Sequence, residues 1–280
     1  MKIVSYQQKD GAVHGGLLQD GRVIPLPRCL DARFGGDDVV AFIAAGLPLT
    51  FVDADSIAVG DVTLLAPLQR PPRIFGIGLN YVEHAAESKM KVQAVPTVFL
   101  KLGSSITGPE TDVLLPPDAT QPDYEAELAV VIGRGGHRIA AANWEQHVFG
   151  YTIVNDVSAR GVQLATSQWT LGKSYPTFTP MGPWIVTRDE VPDPHALDIQ
   201  LTLSGEVMQQ ANTRDLIFKV PALIEYLSSI VALEPGDVIS TGTPPGVGLG
   251  RTPPRWLRDG EEMLIEIEKI GTLRNRTRVT

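Results

Sequence analysis

Glu125 and Glu127 stand two residues apart in the run Asp123-Tyr124-Glu125-Ala126-Glu127-Leu128-Ala129-Val130-Val131-Ile132-Gly133. A third acid, Asp156, follows the apolar run Tyr151-Thr152-Ile153-Val154. The β-branched content and closing glycine of the first run predict a strand, and alternate residues of a strand share a face. Two carboxylates side by side repel and lose hydration unless that face is exposed or a cation sits between them. Three oxygen donors without a paired Cys or His match a hard divalent cation, Mg²⁺ first, with Mn²⁺ or Ca²⁺ as alternatives. A solvated strand face is the competing reading, and spacing alone does not choose between the two.

A second constellation lies in Asn80-Tyr81-Val82-Glu83-His84-Ala85-Ala86-Glu87, which has helix-forming composition and follows what reads as a Gly76-Ile77-Gly78 turn. On a helix His84 and Glu87 stand at i and i+3, where the carboxylate can orient the imidazole as a general base near neutral pH. A surface ion pair and a metal-ligating pair are the alternatives; the absence of a second Glu-x-x-His motif weighs against the latter.

Other motifs fail on spacing. Gly172-Lys173-Ser174 resembles the end of a phosphate loop, but Ser167 stands where the first glycine belongs. Gly246-Val247-Gly248-Leu249-Gly250 has Arg251 where a dinucleotide fingerprint needs its last glycine. No Gly-x-Ser-x-Gly elbow exists, and the single cysteine, Cys29, falls in the N-terminal region, so a nucleophilic triad is unsupported.

The elements that must carry these residues are mostly strands. Lys2–Tyr6, Gly15–Leu18 and Arg22–Leu26 read as short strands with a hairpin at Gln19-Asp20-Gly21. Asp37–Ala45 reads as a short helix, and Pro67-Leu68-Gln69-Arg70-Pro71-Pro72 as a linker. Leu197 to Leu203 alternates as a strand into a hairpin at Ser204-Gly205-Glu206, and Ile265 and Ile267 alternate with Glu266 and Glu268. Val220, Leu223, Ile224, Leu227, Ile230 and Val231 predict an amphipathic helix ended by Pro235-Gly236. The expected fold class is mainly β (α+β) with few helices, divided into a small β-rich N-terminal domain, 1–67, and a catalytic domain, 68–280.

Composition bounds the partners. The 280 residues are 43% apolar and 20% charged with a formal net charge of −8, an ordinary globular balance that argues against a nucleic-acid partner. No apolar run reaches the ~18 residues of a membrane span, and Met1–Asp10 has no signal-type apolar stretch. A cytoplasmic protein with no disulfide and no membrane association is expected.

In order along the chain, these features resemble the fumarylacetoacetate hydrolase family from about Arg73 to Val279. The resemblance rests on Gly78-Leu79-Asn80-Tyr81 with His84, Phe99-Leu100-Lys101 with Ser104-Ser105, and Asp123 to Glu127. It continues through Asn155 to Arg160, Leu171 to Ser174, Pro180 to Pro183, and Pro235 to Ile239 with Thr241 to Pro244. It implies a rolled mixed β-sheet barrel, usually a homodimer. It puts metal ligands on Glu125, Glu127 and Asp156, and a water-activating pair on His84 and Glu87. It puts Lys173 beside the reacting centre and substrate contacts on Lys101, Arg160, Gln163 and Thr243. The implied reaction is hydrolysis of a C–C bond in an acylpyruvate or other 2,4-dioxo acid through a metal-bound enolate. The alternatives use the same site for isomerisation or tautomerisation, oxaloacetate-type decarboxylation, or dehydration of a 2-keto-3-deoxy sugar acid; a non-catalytic ligand-binding relative stands further off. Relatives often carry Asp at Gly161 and Pro176 and Pro at Leu102 and Gly103, departures that bear on substrate choice.

Overall fold

The computed structural model describes residues 1–26, 38–46 and 56–280. Cys29 and Asp37 lie outside the described residues. The principal strands are β1 (Lys2–Gln7), β2 (Val13–Gln19), β3 (Arg22–Pro25), β4 (Ile74–Gly78), β5 (Thr97–Lys101), β6 (Ala126–Ile132) and β7 (Val148–Asn155). They continue with β8 (Thr179–Thr187), β9 (Asp198–Leu203), β10 (Glu206–Asn212), β11 (Val238–Ser240), β12 (Glu262–Ile267) and β13 (Gly271–Val279). Among the described residues the α-helices are few and short: α1 (Val39–Ala45), α2 (Val82–Glu87), α3 (Arg160–Gln163) and α4 (Val220–Ile230).

The larger sheet has twelve strands and runs β3-β2-β1-β8-β7-β6-β11-β4-β5, with Ile57–Ala58 beyond β3. It is mixed: β4 runs parallel to β11, whereas the other pairs along this path are antiparallel. The barrel implied by the resemblance is corrected here. β1 pairs with β8 and carries the sheet outward through β2 and β3, so its two ends do not meet and the sheet stays open. A second sheet, β10-β9-β12-β13 with Asp112–Leu115, packs against the first.

Strand β6 is buried along its whole length, and its period-two alternation divides it between two cores. Leu128, Val130 and Ile132 pack with Ile199, Leu201, Ile265 and Leu223, while Ala129 and Val131 pack with Ile3, Leu17 and Phe42. The face of Ala129 and Val131 is also the face of Glu127.

Both predicted hairpins form with two-residue loops whose residues have positive φ, Asp20-Gly21 and Ser204-Gly205. Gly76-Ile77-Gly78 is the end of β4 rather than a turn; Leu79, with φ +58°, follows it on the way to α2. The amphipathic helix stops at Ile230, before Pro235-Gly236, because Leu233 leaves it to bridge Gly136.

Candidate active site

Glu127 lies on β6 and Asp156 just beyond β7, and the pairing Ala126↔Asn155 sets the two strands so that Asp156 comes beside Glu125. Glu125 falls one residue before β6 begins, so the strand expected from Asp123 is interrupted at Tyr124-Glu125. Local hydrogen bonds replace the ladder: the Glu125 amide donates to Asn155 Oδ1 at 3.0 Å, and the Asp156 amide donates to the Glu125 carbonyl at 2.8 Å. Oxygens of the three acids lie within 4.8 Å of one another. Glu125, Glu127 and Asp156 are only 3%, 2% and 0% exposed, which removes the solvated-face reading.

Cations surround the cluster. Lys173 Nζ donates to Glu125 Oε2 at 2.5 Å and Asp156 Oδ2 at 2.7 Å, and Lys101 Nζ to Asp156 Oδ1 at 2.6 Å. Arg160 donates from Nη2 to Glu125 Oε1 at 2.6 Å, from Nε to Asp123 Oδ2 at 2.9 Å and from Nη1 to Gln163 Oε1 at 2.9 Å. Every oxygen of Glu125 and Asp156 is thereby engaged. Glu127 differs: Ser240 Oγ (2.6 Å) and the Gly242 amide (3.0 Å) both donate to Oε2, and no hydrogen bond from the described residues reaches Oε1.

The electrostatics follow this division. Burial opposes ionisation of Glu125, but Arg160 and Lys173 outweigh it and hold the carboxyl well below the usual carboxylate range. Glu127 has no such partner, so burial, reinforced by Asp156 and Glu125, pushes it up to about 8. Burial also lowers Lys101, whereas Asp156 and Glu125 overcome burial at Lys173 and raise it. With all four buried acids ionised, Asp123, Glu125, Glu127 and Asp156 carry −4 against +3 from Lys101, Arg160 and Lys173. The all-oxygen donor set, with its spare Glu127 oxygen, fits a hard divalent cation. Such an ion would turn the local sum from −1 to +1.

His84 and Glu87 project from α2 as the i, i+3 spacing predicts, with Nδ1 and Oε1 2.9 Å apart. The imidazole is buried, so the pair is not a surface ion pair. An ionised carboxylate can only accept, so Nδ1 carries a proton, and in the neutral imidazole Nε2 is the basic nitrogen. Neither residue joins the carboxylate cluster that could hold an ion; among the described residues that cluster is Glu125, Glu127 and Asp156.

The triad, His84, Arg160, Gln163, Lys173 and Thr243 line one cleft. Apolar side chains line it as well: Ile77, Leu79, Met90, Phe99, Leu164 and Trp169. Trp169 packs 5.6 Å from Phe99, centroid to centroid, and lies so close over Gly78 that a Cβ there would sit 2.4 Å from the indole ring. Lys101 and Thr243, both expected as substrate contacts, have their polar atoms engaged within the protein. Lys101 does not line the cleft; it stands behind Asp156, donating also to the Lys173 carbonyl at 2.5 Å. The Thr243 hydroxyl lines the cleft but is engaged, donating to the Ala126 carbonyl and accepting from Gln209. Asp123, Ser240 and Trp169 had no assigned role in the sequence. Asp123 stands two residues before Glu125, the spacing that marks it in the sequence; Ser240 reaches Glu127 only through the β6–β11 pairing, which spacing does not reveal.

Residues 73–278 match the family model described as fumarylacetoacetate (FAA) hydrolase C-terminal. The chain is 47% identical over 218 residues to the human mitochondrial oxaloacetate tautomerase, spanning 77% of this chain and 69% of that protein. The fumarylacetoacetate hydrolase of the psychrophile Exiguobacterium antarcticum superposes with a TM-score of 0.90 at 35% identity, covering 100% of both chains. The maleylpyruvate hydrolase of Sphingobium sp. SYK-6, whose crystal structure contains manganese(II) and pyruvate, superposes at 0.79 and 30% identity, covering 100% of this chain and 99% of that one.

Proposed function

The chain belongs to the fumarylacetoacetate hydrolase family, and from that premise we propose that it is a divalent-cation-dependent enzyme that enolises small 2-oxo acids, tautomerising an oxaloacetate-type substrate. The observation that carries this reading is the meeting, in one cleft, of three buried carboxylates and an imidazole whose Nδ1 is fixed by a carboxylate. Glu125, Glu127 and Asp156 would hold the ion, which we take to be Mg²⁺, with Mn²⁺ able to replace it. When bound, the ion supplies Lewis-acid polarisation of the keto group.

The chain's own residues do the rest. His84 Nε2 takes a proton from the carbon beside the carbonyl and returns it to the enol oxygen, so the reaction is a net proton shift. Glu87 keeps the imidazole in the required tautomer and steadies it while it is charged. Arg160 and Lys173 hold Glu125 and Asp156 in place and add positive potential where negative charge develops. The local sum of +1 with an ion present favours an anionic substrate, and the wall of Phe99, Trp169 and Leu164 limits water beside the reacting carbons.

Hydrolysis of an acylpyruvate C–C bond is the second reading, favoured by the His84–Glu87 pair, which could equally take a proton from water, and by the likeness to the maleylpyruvate hydrolase. Tautomerisation stands first because the oxaloacetate tautomerases share more of the sequence. The test is a panel run with Mg²⁺ or Mn²⁺: enol absorbance for oxaloacetate, cleavage of acylpyruvates, decarboxylation, and dehydration of 2-keto-3-deoxy acids. Tautomerisation above the protein-free control containing the same ion is expected. Acylpyruvate cleavage at a higher kcat/KM would put the second reading first, and no ion-dependent turnover of any 2-oxo acid would overturn both.

A further inference from the structure

The glycine-rich loop Gly246–Gly250, which matches no nucleotide fingerprint, lies between the two halves of the site. At one end the Gly246 amide donates to both oxygens of Glu87, at 3.1 and 2.9 Å. At the other, the Gly248 and Leu249 amides donate to Asp123 Oδ1 and Oδ2 at 2.7 and 3.0 Å. Asp123 Oδ2 also accepts from Arg160, whose Nη2 grips Glu125. A continuous series of hydrogen bonds thus runs from His84 through Glu87, the loop, Asp123 and Arg160 to Glu125.

Gly250 closes the device by what it lacks. A Cβ at this position would lie 2.7 Å from Glu87 Cδ and Oε2 and 2.8 Å from its Cγ. The carboxylate reaches the Gly246 amide only across the bare Cα of residue 250. We infer that Gly250 and the loop it ends are positioning elements: they hold Glu87, and through it the His84 imidazole, at a set distance from the carboxylate cluster. Because α2 has only six residues, its own hydrogen bonds define that distance poorly, and the external clasp supplies what the helix cannot.

The inference deepens the enolisation reading by assigning the residues that place its base, and its test has an arm that needs no substrate. In the full chain loaded with Mn²⁺ for activity and Mg²⁺ for NMR, Gly250→Ala is compared with Glu87→Ala, with the double variant, and with Gly60→Ala, where a Cβ meets nothing within 4 Å. Gly250→Ala is expected to lose the downfield His84 Nδ1 proton resonance as Glu87→Ala does. It should lower kcat roughly 10²-fold while KM and Mn²⁺ affinity stay within about twofold. Acting through Glu87, it should add no further loss in the double variant. An unchanged His84 resonance in Gly250→Ala, or losses that multiply in the double variant, would overturn the inference. If no 2-oxo acid turns over, the enolisation reading fails but the resonance still decides this one. If Gly250→Ala does not fold, recovery of folding in the double variant, where the methyl takes the space Glu87 leaves, supports the clasp, and failure to recover refutes it.

Discussion

Glu127 sets how tightly the site should hold a cation at each pH. Burial and the neighbouring Asp156 and Glu125 push its carboxyl up to about 8 in the ion-free protein, so at neutral pH it carries a proton that an incoming divalent ion must displace. The sign is then determined. Below about pH 8 each incoming ion must displace that one proton, so affinity falls about tenfold per pH unit, or ~1.4 kcal/mol. From the plateau above pH 9 down to pH 6 the loss is about 100-fold, of which about 50-fold falls between pH 8 and pH 6. Calorimetric titration with Mn²⁺ in two buffers of different ionisation enthalpy reads both quantities: about one proton released per ion at pH 6–7 and close to none at pH 9. Glu125 contributes nothing to this slope, because Arg160 and Lys173 keep it ionised throughout. An Mn²⁺ affinity flat from pH 6 to 8, with no proton release, would refute the reasoning.

Three further outcomes follow from the same geometry. Glu127→Gln keeps the shape and the Ser240 contact but removes the charge; Mn²⁺ affinity should fall at least ~10-fold at pH 9 and lose its pH slope, read by the same titration. His84→Ala should leave Mn²⁺ affinity unchanged while slowing enolisation by about 10²–10⁴-fold, measured as initial rates on oxaloacetate. Lys173→Met leaves Glu125 and Asp156 facing each other without their shared ammonium, and should cost about 3–5 kcal/mol in urea unfolding, with added Mg²⁺ recovering part of the loss.

Local chemistry made much of this molecule legible. Asp20-Gly21 and Ser204-Gly205 named their turns because positive φ is acceptable to few residues, and alternation exposed β9 and β12 because one face of each is buried. β6 was harder. Its two faces enter two different cores, so it reads as a continuous apolar run, and nothing local says that the glutamate face is dry. The His84–Glu87 pair was visible because both partners lie on one helix. Lys101, Arg160 and Lys173 were visible only as family positions: their carboxylate partners lie 17 to 55 residues away in sequence and come together through strand order. The open sheet was illegible for the same reason, since the pairing of β1 with β8 joins segments at opposite ends of the first two-thirds of the chain.

The central claim is ion-dependent proton removal beside a 2-oxo group by His84. Deuterium wash-in at C3 of a 2-oxo acid in D₂O, followed by proton NMR, tests it most directly. Wild-type protein with Mg²⁺ should exchange that proton faster than Mg²⁺ alone, and the excess should vanish on chelation and in His84→Ala. An excess that survives chelation, or that His84→Ala retains in full, would contradict the account.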